Sequence, residues 1–105
     1  MTLTHDEIAG MTCKDVNEEI GIRLSTINID WMPPQVPDYC HDWSHAGRLL
    51  EDMVESGVLL RNTLRDRLWE CITFNNDMKL ISVMSPTAPE AIARCWLEWW
   101  EVTHE

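Results

Sequence analysis

The C-terminal helix is the feature that most constrains how this chain can fold. Both its N-terminal capping signal and its aromatic face can be identified in the sequence. Thr87 can cap the helix by accepting from the backbone N–H of Glu90, whose carboxylate can in turn accept from the backbone N–H of Thr87. Pro89 lies in the first turn, where its missing N–H costs nothing. Apolar residues recur at helical spacing, at Ala88, Ala91, Ile92, Cys95, Trp96 and Trp99. Charged residues take the other side, at Glu90, Arg94, Glu98 and Glu101. This helix must bury its aromatic face.

Composition indicates one folded domain over residues 1–105. Hydrophobic residues make up 45% of the chain and include six tryptophans, which argues against disorder. We see neither an apolar run long enough to span a membrane nor a basic leader followed by apolar residues, so we expect a cytoplasmic protein. The net charge of −10 opposes direct nucleic-acid binding and favours a basic protein partner.

The order of patterns predicts an α+β fold. We expect N-terminal helices in residues 1–30, a proline-rich crossing segment in 31–41, a helix in 42–57, a β-meander in 58–84 and the last helix in 87–103. Short polar turns separate the strand candidates, so the sheet should be antiparallel, with three or four strands, sandwiched by helices in an α-β-α arrangement.

Local signals refine these elements. Thr12 with Asp15 makes a capping pattern for a helix, and Ile27–Trp31 alternates like a short strand. Asp42 should cap the next helix and Gly57 should end it. The predicted apolar stripe of that helix is Trp43, Ala46, Gly47, Leu50, Met53 and Val54.

The faces of the central strand are both mixed in polarity. Leu68, Glu70, Ile72 and Phe74 should share one face, and Trp69, Cys71 and Thr73 the other. Since neither face is cleanly polar, we expect helices or another subunit to cover both.

Two motifs resemble the bacteriophage proteins grouped as the phage α-β-α sandwich domain. One is Pro37-Asp38-Tyr39 with Asp42 opening a helix, and the other is the run from Thr87 to Ile92 followed by a small residue and arginine. The resemblance implies a small phage or prophage accessory protein, active in the cytoplasm of a bacterial host, with no shared catalytic residues. Some phage sandwiches of comparable build sequester nucleotide signals, and other short acidic phage proteins block defence nucleases.

One cluster has metal-ligand chemistry. His41 and His45 stand four residues apart, and Cys40 could add a thiolate, but Asp42 is better explained as a helix cap. We therefore predict no metal site and no cofactor. The widely spaced cysteines should be buried free thiols.

Three charged or aromatic sets are candidates for binding. The acidic residues Glu51, Asp52, Glu55, Glu98 and Glu101 would form a continuous partner-binding surface if the two long helices lie side by side. A phosphate could be bound, through bidentate hydrogen bonds, by Arg61, Arg65 and Arg67. Consecutive helix positions diverge, so Trp96, Trp99 and Trp100 cannot all point inward, and we expect them to form a homodimer contact.

These patterns predict a non-enzymatic protein that acts by binding. The leading hypothesis is an inhibitor of a host antiviral defence protein, contacting it through the acidic residues. The alternatives are a binder that sequesters a nucleotide signal and a structural or assembly protein of the virion.

Overall fold

The fold is an antiparallel sheet packed by helices, which confirms the predicted α+β class. A computed structural model describes residues 3–27, 37–63, 67–75 and 77–103. The helices are α1 (His5–Gly10), α2 (Cys13–Ile27), α3 (Trp43–Met53, continued by a 3₁₀ turn over Val54–Ser56) and α4 (Ala88–Thr103). The strands are β1 (Val58–Thr63), β2 (Leu68–Phe74) and β3 (Leu80–Ser85). Among the described residues, no helix combines the length and apolar character needed to cross a bilayer.

Side-chain caps start the helices where the sequence predicts them. The Oγ1 of Thr12 accepts from the N–H of Asp15 at 3.2 Å, and Asp42 Oδ1 accepts from the N–H of Ser44 at 2.9 Å. In α4, Thr87 Oγ1 accepts from the N–H of its N3 residue at 3.4 Å. Thr4 adds a complete capping box at α1, which the sequence analysis did not identify.

The sheet has the order β1-β2-β3, and its register fixes two faces. The inner face carries Cys71, Thr73, Ile81 and Val83, all buried beneath α4. The outer sheet face comprises the residues of opposite parity, namely Leu59, Arg61, Thr63, Leu68, Glu70, Ile72, Phe74, Leu80, Ser82 and Met84. This confirms the predicted division of the β2 residues between the two faces.

Within the described part of the chain, α4 makes the main helix contact with the sheet, on the inner face. On the outer sheet face, Leu59, Leu80 and Met84 are 53%, 62% and 49% exposed. The sequence analysis expected helices or another subunit over each face, within an α-β-α arrangement. These three large apolar side chains of the outer face are therefore largely open to solvent.

Helix α4 lies at the centre of the molecule, between the sheet and the three other helices. Its side chains are buried on nearly all sides, and Trp96 is only 1% exposed. The sequence placed Arg94 and Glu101 on a solvent-facing side, which is wrong, because α1 and α2 cover that side and leave them 9% and 6% exposed.

Two other sequence expectations need correction. Helix α3 buries Ala46, Leu49 and Met53, whereas Trp43 and Val54 are 54% and 60% exposed, so its apolar stripe is rotated from the predicted one. Ile27 ends α2 instead of starting a strand. Residues 28–31 of that predicted strand, and 31–36 of the predicted crossing segment, lie outside the described residues.

Candidate functional site

A group of carboxylates surrounds an open groove between α1 and α2. Its volume is about 470 Å³, and Leu3, Gly10 and Met11 form its uncharged part. The carboxylates around it belong to Asp6, Glu7, Asp15, Glu18 and Glu19. We call this set and the three uncharged residues the acidic groove.

Local helix physics explains why acidic residues collect there. Asp6 and Glu7 occupy the first turn of α1, and Asp15 occupies the first turn of α2. Carboxylates are favourable at these positions because helix N-termini carry a partial positive charge. The two helices are joined by the short link Met11–Thr12, so both acidic turns border one groove.

Arg94 holds α1 in this position. Its Nη1 donates to the carbonyl of Ile8 at 2.5 Å, and its Nη2 donates to the carbonyl of Met11 at 2.7 Å. These carbonyls lie at the C-terminal end of α1, where a cation is favourable and where α1 has no basic residue of its own. The buried guanidinium therefore fixes the wall of the acidic groove to α4.

Ion pairing neutralises only one of the five groove carboxylates within the described residues. Glu19 Oε2 lies 2.5 Å from Nη1 of Arg23, whereas Asp6, Glu7, Asp15 and Glu18 form no ion pair with a described residue. Within the described ranges, the groove thus presents four carboxylates that have no ion-pair partner, together with the apolar side chains of Leu3 and Met11. Such a surface attracts a cationic partner at long range and can hold an apolar side chain at contact.

The predicted continuous acidic surface on α3 and α4 does not form. Glu51 and Glu55 are exposed on the α3 segment, but Glu101 is 6% exposed and ion-paired with Arg23 on the α2 side of α4. Glu98 also turns away from α3, since its Oε2 lies 2.7 Å from Nδ1 of His5 on α1.

Asp52 has a structural partner as well. Its Oδ2 accepts from Nε1 of Trp96 at 3.0 Å and so ties α3 to α4. Sequence reasoning missed the groove carboxylates because no local pattern reports which faces of α1 and α2 border one groove. The available signal was the scarcity of Lys and Arg in the first 22 residues, where Lys14 stands alone.

The three tryptophans of α4 pack against the rest of the chain to different depths. Trp96 is a core residue, so its predicted place in a homodimer contact is wrong. Trp99 is half-buried and donates from Nε1 to Oγ of Ser56 at 3.1 Å. Trp100 lies under the guanidinium of Arg23, 5.4 Å from its Cζ. They stabilise the contacts of α4 with its neighbouring helices.

The structure describes two of the three arginines that the sequence predicts could bind a phosphate. Arg61 lies on the outer sheet face, where its Nε donates to Glu70 Oε1 at 2.5 Å. Arg67 is exposed in the turn before β2, with a φ of 55°. Arg65 lies outside the described residues. The charge of Arg61 is thus already compensated.

The predicted Cys–His cluster is also separated. Cys40 is fully buried, with its Sγ 3.8 Å from the carbonyl of Cys13, whereas His41 is exposed and pairs with Asp38 at 3.0 Å. The ring of His45 makes an edge contact with that of Tyr39, at 5.9 Å. In the described ranges, no group of three or more His, Cys, Asp or Glu residues is placed to hold a metal ion.

The cysteines are free thiols, and Cys40, Cys71 and Cys95 are buried, as predicted. Cys13 is half-buried, and its Sγ donates to Glu90 Oε1 at 2.9 Å. Burial, followed by this contact with the Glu90 carboxylate, raises the pKa of Cys13. A raised pKa disfavours the thiolate, so this thiol is a poor nucleophile.

Comparisons of this chain with protein-family models, curated proteins and solved structures found no match. The resemblance to the phage α-β-α sandwich domain therefore stays a prediction.

Proposed function

We propose that this protein acts without catalysis, by binding a partner protein through the acidic groove. The partner carries a basic surface with an exposed apolar side chain. The observation that carries the proposal is the set of four carboxylates, without an ion-pair partner among the described residues, that line one groove with Leu3 and Met11. A basic surface of this kind is typical of proteins that handle nucleic acid.

The resemblance to phage accessory proteins suggests which basic proteins are relevant. We propose a host defence protein that uses its basic surface to hold nucleic acid, so that occupation by the acidic groove blocks it. The net charge of −10 supports this, because it speeds association with a cationic surface and opposes direct contact with nucleic acid.

A charge-reversal experiment tests the groove. The wild-type protein, immobilised, captures its partner from host extract, and the purified partner is then titrated calorimetrically. We expect the double variant Asp15→Lys/Glu18→Lys to weaken binding by about 5- to 30-fold, since each reversed rim charge is worth about 0.5–1 kcal/mol. Raising the salt concentration should weaken wild-type binding as well.

The matched control reverses two exposed carboxylates of the α3 segment, Glu51→Lys/Glu55→Lys. It changes the net charge by the same amount, so a general effect of charge would weaken binding equally in both variants. If only the control variant lost affinity for the partner, the acidic groove would be refuted as the binding site, and the site would be assigned to the α3 segment. Unchanged affinity in both would refute the electrostatic mechanism.

A further inference from the structure

We propose that the outer sheet face is a homodimer interface, on which a second copy of this chain packs face to face about a twofold axis parallel to β2. This inference is independent of the acidic groove, which lies between α1 and α2. It replaces the tryptophans of α4 as the contact between subunits.

The outer face exposes enough area for a stable dimer. Leu59, Leu80 and Met84 are 53%, 62% and 49% exposed, and the side chain of Arg61 is 58% exposed. With about 200 Å² for a fully exposed large side chain, these four and the half-buried residues of the face present about 650 Å². Two copies would bury about 1,300 Å², within the range of specific interfaces.

The charge on this face selects a second copy as the occupant. Among the described residues of this face, the charged ones are Arg61 and Glu70, and they pair with each other, so this part of a chain of net charge −10 is neutral. Glu70 is 6% exposed, and its other oxygen accepts from Oγ of Ser82 at 2.6 Å. Two identical acidic chains repel through their other surfaces. On this face the axis sets Glu70 of each copy opposite its counterpart, and each of these carboxylates is neutralised by Arg61 of its own chain.

The register of the sheet makes the face self-complementary. Leu59, Ile72 and Ser82 lie in one row across the three strands. An axis parallel to β2 exchanges the two edge strands, so Leu59 of each copy lies above Ser82 of the other. Along β3, the small Ser82 lies between Leu80 and Met84. Leu59 of the other copy therefore fills the space between these two larger side chains.

Sedimentation equilibrium of the full chain tests the interface. We expect wild-type protein at about 100 μM to have twice the chain mass of 12.2 kDa. Leu59→Glu should weaken the dimer by about 100-fold or more, because each copy would bury an unpaired carboxylate. The control Val54→Glu changes a residue that is 60% exposed and lies off the sheet, so it should leave the dimer intact.

A mixing experiment separates loss of the interface from loss of the fold. Leu59→Glu and Leu80→Lys should each be monomeric, and an equal mixture should form a heterodimer because the new carboxylate lies beside the new amine. A monomeric wild type, a dimer that survives Leu59→Glu, or a mixture that stays monomeric would each overturn the proposal.

Salt distinguishes this inference from the proposed function. Salt screens the repulsion between two acidic chains, so the dimer should strengthen as salt rises, whereas binding at the acidic groove should weaken. Failure of one leaves the result for the other unaffected.

Discussion

Replacing Glu101 with Gln should destabilise the fold by about 3 kcal/mol. The Glu101 carboxylate is buried, accepting from Nε of Arg23 at 2.6 Å and from the N–H of Leu3 at 2.9 Å. Removing one partner of a buried ion pair costs about 3–5 kcal/mol, because the remaining charge is uncompensated. Glu19 lies 2.5 Å from Arg23, and the Trp100 ring lies 5.4 Å from its Cζ. Both contacts still partly compensate the charge of Arg23 when Glu101 is replaced. We therefore expect a loss of stability at the lower end of the range of about 3–5 kcal/mol.

Urea unfolding followed by circular dichroism measures this effect, at one protein concentration because dimerisation would add to stability. With an m-value of about 1.5 kcal/mol/M, the midpoint should fall by about 2 M. Glu18→Gln, an exposed carboxylate on α2, is the matched control and should change stability by less than about 0.5 kcal/mol.

A double variant completes the test. Arg23→Met/Glu101→Met removes both charges and should be much less destabilised than the sum of its single variants, because no buried charge is left unpaired. A cost below about 1 kcal/mol for Glu101→Gln, or simple additivity in the double variant, would refute this account of the buried pair.

Three further outcomes follow from individual contacts. The hydrogen bond to Glu98 raises the pKa of His5 above its usual 6.5. The pair therefore stabilises the fold fully below about pH 6.5, and this stabilisation is lost as the pH rises through the raised pKa. An NMR titration in which the His5 ring titrates at or below 6.5 would contradict this expectation. Iodoacetamide at pH 8 should alkylate Cys13 more slowly than it alkylates a free thiol. Glu90→Gln should speed the reaction, since the Glu90 carboxylate contributes to the raised pKa of the Cys13 thiol. Equal alkylation rates in the wild type and Glu90→Gln would exclude this effect of the carboxylate. Leu49→Ala should cost about 2–5 kcal/mol in the same urea assay, because Leu49 is fully buried; a loss below about 1 kcal/mol would show that α3 does not bury this side.

Only part of the candidate site could be predicted from the sequence. The acidic character of the chain follows from composition alone, since 18 Asp and Glu residues outnumber 8 Lys and Arg, and the proposal of a basic partner started from it. The position of the acidic surface did not follow. Glu101 and Glu18 are both helical carboxylates, yet one is buried against Arg23 and the other borders an open groove. The difference depends on which helix covers them.

The sequence by itself determined the elements and their local geometry. Asp42 and Thr87 start their helices because a side-chain oxygen satisfies a backbone N–H within three residues. Gly57 ends the α3 segment with a φ of 86°, which few other residues adopt, and strand alternation alone divides Glu70 from Cys71. Each of these signals acts over a few residues.

The tertiary structure alone decided which surfaces are covered. Helix α4 lies between the sheet and the other helices, so Arg94 is buried with carbonyls of α1 while the large side chains Leu59 and Leu80 remain exposed. Periodicity shows which residues share a face of one element. It does not show which faces of distant elements meet, because that depends on packing across the whole chain.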